Sequence, residues 1–522
     1  MTVTNNLALA REQQVFVTAE VTKGTMVEPT SASLIRAINA PSFNQNPEYF
    51  DDEQYRDTRS KQERIRGRFL SGEWNLETYI KPSGTAGTMP EVDPLLTAAF
   101  GAKRENAADT VQANIAKVDV VTDGSNSTTK GYFADASTFV VGMRIEIVQT
   151  TPTATTYATI LTVDTDTDFI TWDTVLAEAV DSDTDITQAD NTTTTAKVTD
   201  STVWTVGDGI RLNDETVWVT ALDATLEKIT FSPALTVACV ATDDIDAGIC
   251  YAPADDPGSM TIWHYVGHTM FCITGASCDN FKMDVQGQDI GKFTFSGKFM
   301  KMIHTGTDAV GSGGIDDSAV TLPCLDSSKY SVNSIIYVAS EIMLVTAMPT
   351  ATTLTVTRGY KSSTPAAHLE AVAITPWYPS GGADVGDAVH GRMGYFTVDG
   401  SNVTVLGGAI EMINGIKYYE EEKTGTDYAE DFDAVELRDV KNTVELFLRT
   451  NDLHYFNKAV NQTQSIVVLP CGETTGSIVV ARMPNCEWSQ PQLSADTEIK
   501  ATIETVALAS STGNDELVLA FL

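Results

Sequence analysis

Residues 278–299, CDNFKMDVQGQDIGKFTFSGKF, and residues 486–504, CEWSQPQLSADTEIKATIE, decide the fold of this 522-residue chain. In both stretches a cysteine precedes runs in which apolar and polar residues alternate, the pattern of a β-strand with one buried face. Cys278 and Cys486 are 208 residues apart, and so are Phe295 and Ile503. This constant offset predicts that the two ends of the chain are two copies of one β-rich unit.

The correspondence continues upstream of these stretches. Alternating segments at 34–43 and 69–80 flank a highly charged connection, and segments at 403–413 and 435–448 flank another. Each half then has one candidate helix. In the first, Asp93 is the predicted N-cap, Pro94 stands at the first helical position and Gly101 ends the helix. The counterpart runs from about Asn451 to Val460.

Between the two strand groups of the first half, residues 106–257 are rich in Thr, Asp, Val and Ala and poor in Lys and Arg. A short motif recurs there as Phe139-Val140-Val141-Gly142 and Trp204-Thr205-Val206-Gly207, and again as Tyr330-Ser331-Val332-Asn333. β-branched residues between turn residues predict small β modules, carried on exposed loops. We therefore assign 1–105 with 258–317 to a first, discontinuous domain, 106–257 and 318–375 to inserted modules, and 376–522 to a second domain.

Charge and cysteine content limit the function classes. The chain has 34 basic and 70 acidic residues, a net charge of −36, which argues against a surface that grips nucleic acid phosphates. Two interpretations stay open: acids scattered over a solvated surface, or a lumen through which DNA slides without sticking. Seven cysteines without a C-x-x-C pair indicate reduced core thiols. The sequence has no run of eighteen apolar residues, and we expect no membrane insertion.

The candidate metal-binding motifs do not have the spacing or the residue types that a metal site requires. His264 and His268 lie on a predicted strand, which would place them about 13 Å apart. Asp164, Asp166 and Asp168 imitate the start of a calcium loop, but Phe169 replaces the required glycine, so an acidic hairpin turn is the better interpretation. We predict no enzyme activity, no cofactor and no metal.

Other stretches resemble a known family. The run GEWNLETYIKPSG at 72–84, followed by PLL at 94–96 and FG at 100–101, is similar to tail tube (major tail) proteins of long-tailed bacteriophages. So are VALASS at 506–511 and GNDELVLAF at 513–521. The resemblance covers roughly 20–105, 258–305 and 390–522. The third module, with Arg358-Gly359 and Ala366-Ala367-His368, resembles small β modules of many phage virion proteins.

The resemblance implies a mainly β fold with two tandem tail-tube-type β-sandwich or barrel domains, each with one short helix, plus the inserted modules. It implies a structural virion protein that polymerises as stacked rings into the tail tube, a negatively charged conduit for DNA and the tape measure protein. Two domains per chain favour a trimeric, pseudo-sixfold ring, with a homohexamer as the alternative. Further expected partners are the tape measure and tail terminator proteins. DNA would pass without specific binding, and the protein would be assembled in the host bacterial cytoplasm and reside in the virion tail.

Two other classes stay open. A β-modular surface adhesin or another virion decoration protein would also use small β modules, although a signal peptide, paired cysteines and aromatic-rich loops are not evident. A carbohydrate-active β protein would need paired carboxylates in a cleft, and acidic residues are abundant throughout the chain.

The charged connections are the candidate contact sites. Residues 48–68 contain six acidic and six basic residues, with the bases concentrated at the end, whereas residues 417–441 contain nine acidic and four basic residues. We predict that the basic segment 59–68 docks against acidic loops of an adjacent subunit or ring. The alternative is a solvated hairpin with internal ion pairs. The candidate residues are Arg59, Arg64, Arg66, Arg68, Glu420, Glu421, Glu422, Asp431 and Asp433.

Overall fold

The computed structural model describes residues 12–51, 60, 63–150, 153–392, 394–422, 425–449, 453–495, 498–511 and 513–522. The protein is mainly β, with 47% of residues in strands and 6% in helices, and several sheets curl into half-barrels. In the described part of the chain, the α-helices are α1 (Asp93–Phe100) and α2 (Leu453–Asn461). Short 3₁₀ turns lie at Ser31–Ser33, Ser201–Val203, Ser327–Lys329 and Tyr360–Ser362.

Eight antiparallel strands form one continuous sheet that runs through both halves of the chain. In spatial order they are Ser42–Asn44, Gly72–Tyr79, Lys292–Phe299, Asn280–Gln286, Gly407–Ile413, Asp439–Phe447, Ile499–Leu508 and Gln492–Ala495. The alternation in the sequence sets its two faces: Phe281, Met283, Phe293 and Phe295 are all 0% exposed, and the polar residues between them lie on the other face.

A second group of five strands accompanies each half. In the first half the order is Leu34–Ile35, Gln13–Ala19, Met260–Val266, Thr269–Ala276 and Lys301–Thr305. In the second half it is Ser401–Asn402, Thr397–Val398, Ser465–Cys471, Val479–Trp488 and Val518–Phe521. Strand Val479–Trp488 also pairs with Ile499–Leu508, so this group continues the same sheet as the eight strands, whereas the group of the first half is a separate sheet. When the strands of each group are numbered along the chain, strands with the same number have the same neighbours in both groups. The 208-residue offset in sequence is therefore matched by an internal repeat of topology.

The two halves share one hydrophobic core. A single cluster of buried side chains runs from Val15 and Trp74 in the first half to Ile503 and Phe521 in the second. Within it Phe281 packs against Phe293 and Phe295, with ring centroids 5.5 Å apart in both pairs. The indole N–H of Trp74 donates to the Ser277 carbonyl at 2.9 Å, which satisfies the polar atom of a ring that is 2% exposed. Such a shared core makes the halves one folding unit.

Three small modules repeat one topology. Numbered along the chain, the six strands of each lie in the order second, fifth, fourth, third, sixth, first. Module 1 consists of Val118–Asp119, Lys130–Tyr132, Arg144–Thr150, Thr153–Asp164, Phe169–Trp172 and Asp185–Gln188. Module 2 consists of Asp109–Thr110, Thr195–Lys197, Gly209–Leu212, Glu215–Asp223, Lys228–Ser232 and Asp244–Asp246. Module 3 consists of Asp308–Ala309, Thr321–Pro323, Ile335–Val338, Glu341–Thr350, Thr353–Thr357 and Ala373–Pro376. Each has its own apolar core, and module 1 is inserted within module 2.

The structure differs from the sequence-based boundaries at two places. Strand Gly248–Pro253 pairs with Gly101–Asn106 and with Val518–Phe521, so it belongs to the scaffold and not to the inserted segment 106–257. Module 3 begins with Asp308–Ala309, ahead of residue 318. Gly248–Pro253 has no alternation of apolar and polar residues, and Asp308–Ala309 has only two residues, which explains why the pattern did not assign them.

The N-cap of α1 is also one residue earlier than predicted. Val92 occupies that position, and Asp93 is the first helical residue, with Pro94 after it and Gly101 at the end with φ 86°. The Asp93 carboxylate accepts a hydrogen bond from the Tyr251 hydroxyl at 2.6 Å and pairs with Lys103 at 3.3 Å. The Asp93 carboxylate therefore makes tertiary contacts instead of capping the helix, which is the role that the local sequence pattern predicted.

Candidate assembly surfaces

The joint between the two halves is an edge-to-edge pairing of strands. Asn280–Gln286 of the first half runs antiparallel to Gly407–Ile413 of the second, with Met283 opposite Ile410. Both of these side chains are 0% exposed. On the other face the Asn280 amide donates to the Glu411 carboxylate at 2.7 Å. We refer to this pairing as the internal joint.

Residues that follow the internal joint in sequence make further hydrogen bonds between the two halves. The Asn414 side chain donates to the Ala99 carbonyl at 2.8 Å and to the Cys278 carbonyl at 3.0 Å. The Tyr418 hydroxyl lies 2.8 Å from the carbonyl oxygens of Gly275 and Lys298. Burial raises the pKa of this hydroxyl, so it is neutral and able to donate. These contacts tie the charged connection of the second half to strands of the first.

The outer edges of the eight-stranded sheet are Ser42–Asn44 and Gln492–Ala495. In the described chain each of these strands pairs with a neighbour on one side only. Leu493, on the core-facing side of its strand, is 54% exposed. An unpaired edge with an exposed apolar side chain is a template for another strand. A groove of about 460 Å³, lined by residues of 13–15 and 34–41, borders the first of these edges.

The polar face of this sheet carries charges of both signs. Its acidic members are Glu73, Glu77, Asp284, Glu411, Asp439, Glu445 and Glu504, and its basic members are Lys282, Lys292, Lys298, Lys441 and Lys500. Several form ion pairs, including Lys500 with Glu445 at 3.3 Å and Lys282 with Asp284 at 3.8 Å. Most of the chain's acidity lies elsewhere: residues 106–257 contain 25 acidic and 6 basic residues, which is −19 of the total −36.

The charged connection of the first half is a β-hairpin, Pro47–Asp51 with Arg64–Phe69. Its paired strands carry exposed apolar side chains: Tyr49, Phe50 and Ile65 are 47%, 51% and 54% exposed. Arg64 pairs with Asp51 of the same hairpin at 3.4 Å and lies over the Tyr49 ring at 4.6 Å. Arg59 lies outside the described residues. The described strands of the hairpin thus present both charged and apolar side chains.

The base of this hairpin docks on the charged connection of the second half within the same chain. Arg68 donates to the carbonyl oxygens of Glu420, of Glu422 at 2.8 Å and of Tyr428 at 3.0 Å. Arg66 pairs with Asp427 at 2.9 Å. Four charged residues of our predicted set, Arg66, Arg68, Glu420 and Glu422, thereby fall into one region, but Arg68 is held by main-chain oxygens and not by acidic side chains.

The other acidic candidates have different surroundings. The Glu420 carboxylate accepts the Ser71 N–H at 2.7 Å, and Asp431 lies 3.7 Å from the Lys23 ammonium. Asp433 accepts the N–H of Ala434 at 2.9 Å, and Glu421 is exposed. Docking on a neighbouring subunit or ring stays a prediction for these residues.

Sequence reasoning missed the aromatic contact that accompanies the docking. Phe69 stacks on Tyr428 with centroids 5.2 Å apart and planes 6° apart, and the Lys301 ammonium lies 5.4 Å from the Tyr428 ring centre. These residues are far apart in sequence, so only the strand order brings them together. The two connections form one composite surface.

In module 3, the two motifs noted in the sequence, Arg358-Gly359 and Ala366-Ala367-His368, both contact the buried carboxylate of Glu341. Glu341 is 0% exposed and accepts hydrogen bonds from the Arg358 guanidinium at 2.7 and 2.8 Å, and from the Gly359 N–H at 3.0 Å. The Ala366 N–H donates at 3.2 Å, and His368 Nε2 lies 2.9 Å away. The arrangement fixes two loops of the module and leaves no carboxylate oxygen open to a ligand.

The candidate metal motifs are occupied by structural contacts. His264 lies on strand Met260–Val266, with Nε2 2.7 Å from the Gln13 amide oxygen, and burial lowers its pKa to about 4. Asp164 accepts the N–H groups of Asp166 and Thr167 in the turn after strand Thr153–Asp164, as predicted for an acidic hairpin turn. The described residues contain no group of three or more His, Cys, Asp or Glu placed to hold a metal.

No helix within the described ranges is both long and apolar enough to cross a membrane. Comparisons with known proteins give no assignment: no protein-family model matches the chain, and no curated protein matches it.

Proposed function

We propose that this chain is a structural subunit that polymerises through its sheet edges into stacked rings, forming the tail tube of a long-tailed bacteriophage. The observation that carries the proposal is the internal joint. Two topologically equivalent halves already associate edge to edge inside one chain, and among the described residues the same kind of edge is unpaired at both ends of the eight-stranded sheet. Closed symmetry satisfies such edges without leaving one free.

The faces of the sheet support the same proposal. One face packs on the shared core, and the other carries alternating acids and bases, many already paired. If the ring closes with the core outward, this mixed polar face lines the channel. Paired charges of both signs would bind a polyanion weakly, which suits a conduit for DNA and the tape measure protein. Three chains, each with eight strands, would complete a pseudo-sixfold ring.

The hairpin and the modules have distinct places in this proposal. The exposed apolar side chains of the hairpin, Tyr49, Phe50 and Ile65, are suited to contact a stacked ring. The three modules carry their own cores, and modules 2 and 3 also pack on the scaffold through buried clusters that include Trp218 and Ile335, so we place them as decoration on the scaffold. Their acidity would add to the solubility of the assembled particle.

Negative-stain microscopy of the purified full chain over a range of concentration tests the proposal. We expect rings with a central channel and stacks of rings, with three chains per ring by mass measurement. Six chains per ring would replace the trimer by a homohexamer and retain the tube. A monodisperse monomer at all concentrations and salt conditions would contradict the proposal and favour the adhesin or decoration class.

A further inference from the structure

The residue pairing of the internal joint predicts the register in which the edge strands of two chains would pair. We propose that strand Gln492–Ala495 of one chain pairs antiparallel with strand Ser42–Asn44 of a second copy, with Leu493 opposite Phe43 and Ser494 opposite Ser42. The inference rests on the proposed ring and names the residues that close it.

Phe43 of the first half has an equivalent residue in the second half. Phe43 lies opposite Trp74, which lies opposite Gly297. In the second half Ile410 lies opposite Asn442, which lies opposite Thr505. Gly297 and Thr505 are 208 residues apart, the offset found in the sequence. Phe43 and Ile410 therefore hold the same place in their sheets.

Met283 of the first half also has an equivalent residue in the second half. Met283 lies opposite Phe293, and Leu493 lies opposite Ala501. Phe293 and Ala501 are again 208 residues apart. Met283 and Leu493 are therefore equivalent. Because Met283 faces Ile410 in the internal joint, Leu493 faces the Phe43 of the next chain when the joint is repeated.

The pattern of exposure fits a missing neighbour. Met283 and Ile410, which lie opposite each other in the paired strands, are both 0% exposed, whereas Leu493, whose strand has one described neighbour, is 54% exposed.

The hydrogen-bonding direction also fits. In the internal joint the Gly287 N–H donates to the Leu406 carbonyl and the Asn414 N–H donates to the Asp279 carbonyl, which makes Met283 and Ile410 a hydrogen-bonded pair. The equivalent Phe43 and Leu493 would then share backbone hydrogen bonds. Ser42 and Ser494 would form the closer, non-hydrogen-bonded type of pair, with Cα atoms about 4.5 Å apart. Both serines are exposed.

Two prolines limit the extent of the repeated joint. In the transferred register Pro41 lies opposite Ala495, and Pro491 lies opposite Gln45. Each proline lacks an N–H and removes one donor. The interchain joint is therefore shorter than the internal one, which suits an edge that must stay unpaired until assembly.

Disulfide trapping tests the register. In the full chain, S42C/S494C is oxidised under assembly conditions and resolved on a non-reducing gel. We expect the monomer band to be lost and replaced by covalent oligomers up to the ring, since the pair lies within disulfide range. The matched control N44C/S494C shifts the register by two residues on the same face, which places the pair beyond that range. Native thiols do not compete, because all seven cysteines are buried.

A second variant tests the joint without a cross-link. L493R places a charge in the proposed apolar contact, and since Leu493 is more than half exposed in the single chain, the variant should fold and fail to assemble. V175R, at a 73% exposed position of module 1, is the control and should assemble normally.

The outcomes separate the inference from the proposed function. Rings or tubes that form without trapping of S42C/S494C, or that trap N44C/S494C equally well, would overturn the register and leave the tube proposal standing. Specific trapping without stacked rings would support the register and count against the tube. A wild-type chain that never assembles would overturn both.

Discussion

Asn414 of the second half donates its side-chain amide to the carbonyl oxygen of Ala99, at the end of helix α1 of the first half, at 2.8 Å. The same amide donates to Cys278, and its oxygen accepts from the Arg438 Nε at 3.1 Å. A buried amide that connects three segments in this way joins the two halves into one cooperative unit.

We expect N414A to destabilise the scaffold by about 2–4 kcal/mol, because two buried carbonyls lose their donor. N414D keeps the acceptor for Arg438 but turns a carboxylate towards two carbonyls, and its cost should be at least as large. Urea unfolding followed by tryptophan fluorescence measures the change. N402A, at an exposed strand position, is the control and should stay within about 0.5 kcal/mol of wild type. A similarly small change in N414A would show that the contact does not join the halves.

The docked hairpin predicts a graded effect of charge reversal. R68E should detach the hairpin, because Arg68 donates to three carbonyl groups of the other connection. R64E should have little effect inside the chain, since Arg64 is 57% exposed and pairs within its own hairpin. Limited proteolysis of the hairpin distinguishes the two variants.

The triple reversal R64E/R66E/R68E should shorten the assembled tubes without unfolding the scaffold, and high salt should mimic part of the effect. Tube length by microscopy and circular dichroism of the same samples provide the two measurements. Unchanged tube length in the triple variant would exclude a role of this hairpin between rings.

The Glu341 cluster predicts an acid-sensitive module 3. Burial opposes the ionisation of Glu341, but hydrogen bonds from Arg358, His368, Gly359 and Ala366 outweigh it and lower the pKa to about 2. Since the unfolded pKa is near 4.5, the contribution to stability is complete above that pH and is lost as the pH falls towards 2.

Hydrogen exchange of residues 310–376 between pH 6 and pH 2 should therefore show increasing opening at the acid end. E341Q should destabilise the module by about 3–5 kcal/mol at neutral pH, because Arg358 keeps a buried charge without its partner. E370Q, at an exposed position of the same module, is the control. Exchange in E341Q that matches wild type at pH 7 would contradict the assignment.

The sequence predicted the internal repeat, but it did not predict which residues of the two halves contact each other. Alternation around Phe281, Phe295 and Ile503 predicted the strands and their buried faces, since the period of a strand is a local property. The docking of Arg68 on the loop at 420–428 joins residues about 350 positions apart, which no local pattern specifies. The prediction placed this basic segment against acidic loops of a neighbour, which stays a prediction; inside the chain Arg68 meets main-chain carbonyls and Arg66 pairs with Asp427.

Distribution of charge was another property that composition alone could not place. A net charge of −36 was compatible with an acidic channel, but the inserted modules hold about half of it and the polar face of the scaffold is nearly balanced. Likewise Asp93 had the sequence features of an N-cap, and its contact with Tyr251 depends on a strand residue 158 positions later.

The seven cysteines should be unreactive in the folded chain. Burial raises the pKa of Cys250, Cys471 and Cys486 to about 12, and that of Cys239 and Cys324 to about 11. At pH 8 a thiol with a pKa near 12 has a thiolate fraction roughly a thousandfold smaller than a free cysteine. Ellman's reagent should titrate seven thiols in denaturant and essentially none under native conditions. Rapid reaction of one thiol in the native chain would locate a region that opens.

Removal of the inserted modules should spare the scaffold only when the boundary follows the strands. Module 1 begins and ends close together, where the Asn191 side chain donates to the Gln112 carbonyl at 2.8 Å, so replacing 114–190 by a short Gly-Ser linker should leave the fold and ring assembly intact. Replacing all of 106–257 should fail, because it removes strand Gly248–Pro253, which pairs with both Gly101–Asn106 and Val518–Phe521. Microscopy and thermal unfolding of both deletions decide the matter. Assembly of the longer deletion with wild-type stability would show that this strand is dispensable, and loss of folded protein in the shorter one would show that module 1 supports the scaffold.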